Sequence, residues 1–333
     1  MKPFIVASLL ALTPLVALAD ADFVTYPAAS GPGKGKNIVL ISGDEEYRSE
    51  DGMPMLGKIL SQRHGFNCTV LFSVGADGTI DPNAGTSLTH PEALDSADAI
   101  VMLIRFRKWP NDAMKHFDDA IKRGVPVIAL RTSTHAFQLP GTSDFKDYNN
   151  FGKKVLGEQW VNHWGNHKSE ATRGVIEAAN AGEAVLSGVS EVFGNTDVYE
   201  AAPPADAKIL LRGQVLSGMN PADGPADYKK KTAAGVEQGI NDPMMPVAWT
   251  REVKNADGKT NKILCTTMGA ATDLANEGLR RMLVNGVFWG LGMAVPAKAD
   301  VTRVGSFEPL MYGFNGGKKG VKPADHALDA KPH

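Results

Sequence analysis

The stretch Gly-Val-Pro-Val-Ile-Ala-Leu-Arg-Thr-Ser-Thr-His-Ala-Phe, residues 124–137, constrains the fold more than any other part of the chain. Its apolar run, residues 125–130, is short, rich in β-branched side chains and free of charge. That is the pattern of a strand buried on both faces of a parallel sheet. The run turns polar within one residue. In open α/β sheets ligands bind beyond the carboxyl ends of the strands, so Arg131, Thr132, Ser133, Thr134 and His135 fall where chemistry is expected.

Three earlier runs repeat the pattern. Residues 37–42 (Asn-Ile-Val-Leu-Ile-Ser), 68–73 and 99–104 read as strands. The first leads into a helix carrying Met55, Leu56, Ile59 and Leu60 at helical spacing. The third leads into a helix with Met114, Phe117 and Ile121 on one face, with Asn111 as its expected N-cap and Gly124 as its stop. Strands alternating with helices predict an α/β, three-layer sandwich around a mostly parallel, doubly wound sheet. Residues 171–176, 208–211, 247–253 and 262–267 are further strand candidates, the last two joined in a hairpin by the Asp257-Gly258 turn. Residues 274–291 read as the last long helix, with Leu279, Met282, Leu283 and Phe288 facing the core. A short helix is expected over residues 151–156, long loops over 74–91 and 217–244, and a surface tail over 315–333.

At the amino end Lys2 precedes an apolar run, residues 4–18, that closes on Ala17-Leu18-Ala19. This predicts a signal peptide of residues 1–19, cleaved near Ala19, and an exported protein, periplasmic or secreted. An extended arm, residues 20–36, follows. No later segment approaches the ~20 apolar residues of a membrane span. With 43% hydrophobic and 22% charged residues, a net charge of -2 and no basic run, the chain has no electrostatic footprint for nucleic acid. Cys68 and Cys265 both lie in strand-like runs, and a disulfide and two separate buried thiols are both open readings. The absence of Cys-x-x-Cys excludes a zinc ribbon or thioredoxin-type site.

The candidate functional residues cluster at strand ends. His135 follows the turn after residues 125–130, where a neutral imidazole serves as base, acid or metal ligand. Ser133 lacks the flanking glycines of a nucleophile elbow and lies two residues from His135, which disfavours a serine hydrolase. His163 and His167 are spaced i, i+4, which suits a shared metal, although Trp164-Gly165-Asn166 between them is poor helix. His135 is the natural third ligand and Asp197 or Glu45 a fourth, with zinc the expected divalent ion. Alternatively Trp160 or Trp164 stacks on the apolar face of a sugar ring while Asn162, His163 and His167 bond its hydroxyls. Glu45 and Glu46 follow the first strand. They read either as dipole partners of the next helix or as acid/base carboxylates tuned by Arg48, Arg105 or Arg131. Arg105 and Arg131 each close a buried strand and are expected to hold Glu45, Glu46 or a ligand. Asp197 and Tyr199 alternate onto one side of an extended segment.

Taken together these residues resemble the ThuA-like (trehalose utilisation) family over nearly all of residues 37–292, leaving residues 293–333 as a C-terminal extension. The matching motifs are Ala129-Leu-Arg-Thr-Ser-Thr-His135 for the family's strand and Gly-x-His, Leu156-Gly-Glu-Gln-Trp-Val-Asn-His163 for its Leu-Gly-x-x-Phe-x-x-His, Thr196-Asp-Val-Tyr199 for its Asp-Glu-x-Tyr, and Pro246-Val-Ala-Trp249. Ala270 stands where the family has a histidine. The resemblance implies a class I glutamine amidotransferase-like, flavodoxin-type fold. Because the amidotransferase cysteine is missing, glutamine hydrolysis is not expected. The resemblance further implies a role in carbohydrate catabolism, on trehalose and related disaccharides through 3-keto-glycosides.

The leading expectation is therefore an enzyme acting on a sugar or keto-sugar by acid/base chemistry, of isomerase or lyase type. His135 and His163 handle protons, Asp197 and Glu45 partner them, and Arg105, Arg131, Tyr199, His167, Trp160 and Glu46 contact the substrate. One alternative is a metal-dependent hydrolase using His135, His163 and His167. The other is a carbohydrate-binding protein without turnover.

Overall fold

The computed structural model describes residues 22–330; the expected signal peptide lies outside them. The described chain carries a ten-stranded sheet in the order β1-β3-β2-β4-β5-β12-β11-β8-β6-β7. Its strands are β1 (Phe23–Tyr26), β2 (Asn37–Gly43), β3 (Asn67–Leu71), β4 (Ala99–Ile104), β5 (Val127–Leu130), β6 (Thr172–Ile176), β7 (Val192–Gly194), β8 (Lys208–Val215), β11 (Met245–Lys254) and β12 (Thr260–Thr266). A separate ribbon pairs β9 (Lys229–Lys231) with β10 (Glu237–Gly239). The principal helices are α1 (Ser49–His64), α2 (Asn111–Lys122) and α3 (Glu277–Gly290).

Strands β3, β2, β4, β5 and β12 are mutually parallel. Counted along the chain, these five give the order 2-1-3-4-5, the flavodoxin-like winding. The antiparallel strands are additions at the two edges, with β11 pairing β12 through the expected Asp257-Gly258 hairpin. Because successive strand residues point to opposite faces, each apolar run feeds two cores. Ile38, Leu40, Val101, Leu103, Ile128 and Leu130 pack with α1 and α3 residues such as Leu56, Ile59, Leu279 and Met282. Their neighbours Val39, Ile41, Ile100, Met102, Val127 and Ala129 pack with Met114, Phe117 and Ile121 of α2. Three layers result.

Several local expectations are corrected. The arm of residues 20–36 contains β1, an edge strand antiparallel to β3. Pro110, not Asn111, caps α2, and Asn111 is its first helical residue. The last helix starts only at Glu277, where the Asn276 side chain accepts from Leu279 N at 2.9 Å. Residues expected as a surface tail are tied down: Ile80 N donates to Val321 O and Tyr26 Oη to His326 O, both at 2.8 Å. Cys68 and Cys265 are separate buried thiols. Among the described residues no helix is long and apolar enough to cross a membrane.

The expected short helix is a π-type turn, Gly152–Leu156, pressed against the loop that carries His135. A Cβ on Gly152 would lie 1.9 Å from Thr134 O and 2.9 Å from Glu158 O, both backbone atoms. Gly152→Ala must therefore push the site-bearing turn away. We expect it to destabilise the fold by about 1–3 kcal/mol, the range of overpacked substitutions. Urea unfolding measures this, and a midpoint equal to wild type would refute it.

Candidate functional site

The sheet's winding reverses between β2 and β4, and the loops beyond their carboxyl ends open a crevice there. Three loop residues at the strand ends take left-handed backbone without being glycine: Arg48 (φ 58°), Phe106 (φ 47°) and Arg131 (φ 38°). Such strain persists only where surrounding contacts enforce it, and it concentrates at functional sites.

The turn after β2 is anchored by its first carboxylate. Asp44 accepts from Glu46 N at 2.8 Å, Tyr47 N at 2.5 Å and Thr132 Oγ1 at 2.5 Å. This fixes the next three side chains. Glu45 meets Arg107 at 2.9 Å and Arg105 at 3.4 Å. Glu46 accepts from His167 Nε2 at 3.1 Å. Tyr47 turns inward and is 1% exposed.

Arg131, after β5, is fully buried and points across the sheet ends. It donates to Asp197 Oδ1 at 2.9 Å, to Asp197 O at 3.1 Å, to Thr267 O at 2.8 Å and to Tyr47 Oη at 3.1 Å. Its guanidinium lies between the rings of Tyr47 and Tyr199, 4.3 and 4.2 Å from their centroids. The sequence expectation of an arginine paired to Glu45 or Glu46 thus holds for Arg105. Arg131 takes Asp197 instead.

Asp197 is where the pieces meet. Its Oδ2 bonds His163 Nδ1 at 2.7 Å and its Oδ1 bonds His167 Nδ1 at 2.9 Å. The two histidines lie on a loop rather than a helix, yet their rings are 4.5 Å apart. Ligand atoms of His163, His167 and Asp197 all lie within 4.8 Å of one another, a group able to hold a divalent metal ion. His135 stands outside that group. It is buried, tilted against Phe106 at 4.9 Å and Trp160 at 5.5 Å, and Trp160 in turn packs on His163 at 5.7 Å. Ser133 bonds Met102 O at 3.0 Å inside the fold, a structural role.

Protonation follows from these contacts. Burial would raise the Asp197 carboxyl, but Arg131 and the bonds from His163 and His167 overcome it and hold it well below the usual range. Bonds to Asp197 and Glu46 push His167 up to about 9 against the effect of burial. Burial opposes ionisation of Glu46 too, yet the His167 bond keeps it lowered. Burial, Arg105, Arg131 and His163 push His135 down to about 3. The site therefore keeps one histidine charged and one neutral near pH 7.

Three residues escaped the sequence reading. Tyr47 and Arg107 follow strands already identified, and their positions in the strand-end loops were the available signal. Tyr312 comes from the C-terminal extension, where no local pattern marks it. It is 3% exposed and lies 5.2 Å from Tyr47 and 5.6 Å from His167, ring to ring. A cavity of about 580 Å³ between α1 and this extension contains none of the histidine and Asp197 group. The converging titratable groups, not that volume, define the candidate site.

A family model described as ThuA, trehalose utilisation, matches residues 37–290, and the chain belongs to that family. No curated protein matches. Among solved structures the chain is similar to a ThuA-like protein of Parabacteroides merdae, at 14% identity over 79% of this chain and 92% of that one, with a TM-score of 0.49. It is also similar to one from Bacteroides uniformis, at 15% identity over 79% and 94%, with a TM-score of 0.48.

The two perturbed histidines give opposite pH effects on stability. His135 stays neutral when folded, so its contribution is complete above the unfolded value of 6.5 and is lost as pH falls toward about 3. His167 stays protonated when folded, so its contribution is complete below 6.5 and is lost as pH rises through about 9. In metal-free protein the melting-temperature gap between wild type and His167→Gln should therefore narrow from pH 6.5 to pH 9. A constant gap would show that the imidazolium is not what stabilises this cluster.

Proposed function

We propose that this protein is a metal-dependent hydrolase of a carbohydrate ligand, with a divalent ion held by His163, His167 and Asp197. The observation that carries the reading is the convergence of two imidazoles and a buried carboxylate within 4.8 Å. Two histidines and one carboxylate form a donor set typical of catalytic zinc. A further support is Glu46 on the far nitrogen of His167, the carboxylate–histidine arrangement that orients metal ligands. When bound, such an ion polarises a substrate oxygen and acidifies bound water.

The chain's own residues do the rest. Arg131 fixes the direction of Asp197, so its carboxylate enters the site in one orientation. Glu46 fixes the tautomer of His167 by accepting a hydrogen bond from its Nε2–H. His135, kept neutral beside Trp160, is a proton acceptor at the edge of the site. Arg105 and Glu45 line its mouth, and Tyr199 holds Arg131 from one face. Family membership supports a sugar or sugar derivative as ligand. The reading includes export, on the apolar run and Ala17-Leu18-Ala19 of the sequence.

A second reading has a specific observation behind it. The 2.7 and 2.9 Å separations to Asp197 are hydrogen-bond distances. A cluster occupied by protons alone would favour metal-free acid/base chemistry on a keto-sugar, with His135 and His163 moving protons.

Elemental analysis of the purified protein separates the two. The first reading requires about one equivalent of zinc or a similar ion, lost in His163→Ala and in Asp197→Asn. Glu46→Gln should keep the site but weaken it by about 10–100-fold, the usual effect of removing a carboxylate behind a ligand histidine. Affinity should also rise with pH, because the proton held on His167 must leave. Protein prepared with zinc present that carries none would sink the metal reading and leave the acid/base one.

A further inference from the structure

The family match ends at residue 290, and the chain beyond it returns to the candidate site. His64 Nε2 meets Asp300 O at 2.7 Å, and Arg280 and Arg281 donate to Val301 O and Ala299 O. At residues 312–314 the extension is fastened to the turn after β2. Gly313 N donates to Glu46 O at 2.8 Å, Arg48 donates to Gly313 O, and Tyr312 Oη donates to Asn195 O at 3.0 Å. This backbone is held on both sides of the Glu46–His167 contact.

From that fixed backbone the chain presents Phe314 outward. The residue is 52% exposed, one position after a clamped glycine and two after a buried tyrosine. The ring covers the Arg105 guanidinium at 4.9 Å, and Phe106 lies 5.1 Å from the same group. Arg105 and its neighbour Arg107 differ sharply. Arg107 spends its donors on Arg105 O, Pro82 O, Ser73 Oγ and Glu45 Oε2. Arg105 lies 3.4 Å from Glu45 and 3.7 Å from Glu46, but among the described residues its buried NH1 has no hydrogen-bond partner. Its charge is balanced by the two carboxylates, and its guanidinium backs the inner face of the Phe314 ring. An exposed aromatic face, backed by a guanidinium and rigidly held next to a histidine cluster, is the chemistry of a recognition surface.

We propose that Phe314 and Arg105 form a ring-seating subsite at the mouth of the His163, His167 and Asp197 site. The apolar face of a pyranose stacks on the outward face of Phe314, and Arg105 backs the ring from its inner face. The proposal rests on the carbohydrate part of the reading above and is independent of the metal. It makes a residue outside the matched family region a determinant of ligand choice, so ThuA-family proteins without this extension would seat the ring differently.

The test is isothermal titration of the full mature protein with trehalose, maltose and methyl α-glucopyranoside, with zinc content measured on the same preparations. Phe314→Ala should weaken binding by about tenfold, near the upper range of a single aromatic contact. Zinc content and melting temperature should stay unchanged. Phe314→Trp should keep the wild-type affinity to within about threefold, since the platform is retained. Weakened sugar binding in Phe314→Ala with no zinc in any preparation would uphold the subsite and remove the metal reading. Unchanged affinity in Phe314→Ala, or a wild-type protein that binds none of the three sugars, would overturn the subsite whatever the zinc content.

Discussion

The buried pair between Arg131 and Asp197 is the interaction on which the site depends. Taking both charges out of water is unfavourable, and their attraction alone does not recover it unless every remaining donor and acceptor is matched. Here nearly all are. Arg131 joins the end of β5 to Tyr47 after β2, to Thr267 after β12 and to the Asp197 segment after β7. The rings of Tyr47 and Tyr199 close over both faces of its guanidinium. One side chain thus ties together four loops that the sheet alone would leave independent. Removing one member of such a pair strands the other, typically at 3–5 kcal/mol.

The same pair sets the electrostatics around it. An Asp197 held as an anion draws His163 and His167 toward it and, with Glu46, stabilises the charged form of His167. His135 is exposed to the opposite influence. It sits in a drier pocket within reach of Arg105 and Arg131 and of no carboxylate bond, so it stays neutral. Two imidazoles of one sequence type are thereby assigned different protonation states by position, which is how acid and base roles separate in one cleft.

Much of this was legible in the chain itself, and what was not has physical reasons. The parallel strands announce themselves because a strand buried on both faces must be apolar at every position, as in Ile100 to Leu103. Their order then places Glu46, Arg105, Arg131 and His135 at one edge of the sheet without further information. The short edge strand Phe23–Tyr26 gave a weaker signal: four residues among glycines and prolines are too few for a period to stand out. The choice of Asp197 over Glu45 or Glu46 as the partner of Arg131 depends on three-dimensional register between β5 and a loop 66 residues on. Tyr312 and Phe314 lie in a segment without regular structure, where alternation and helical spacing carry no meaning. Only the fold shows that Tyr312 packs beside His167.

The close fit of the cluster also frames the competition between a proton and an ion. With His167 protonated, the two positive charges of Arg131 and His167 match the two negative charges of Asp197 and Glu46 within this group of four. Exchanging that proton for a divalent ion leaves one positive charge in excess. An excess positive charge among low-dielectric walls favours an electron-rich oxygen facing it. Arg131 contributes to this by never giving up its proton: it prevents Asp197 from neutralising an incoming ion completely. A structural metal centre would be built the other way, with enough anionic ligands to close the site. On the metal reading proposed above, two imidazoles and one carboxylate already shared with an arginine would leave the ion able to take a substrate oxygen.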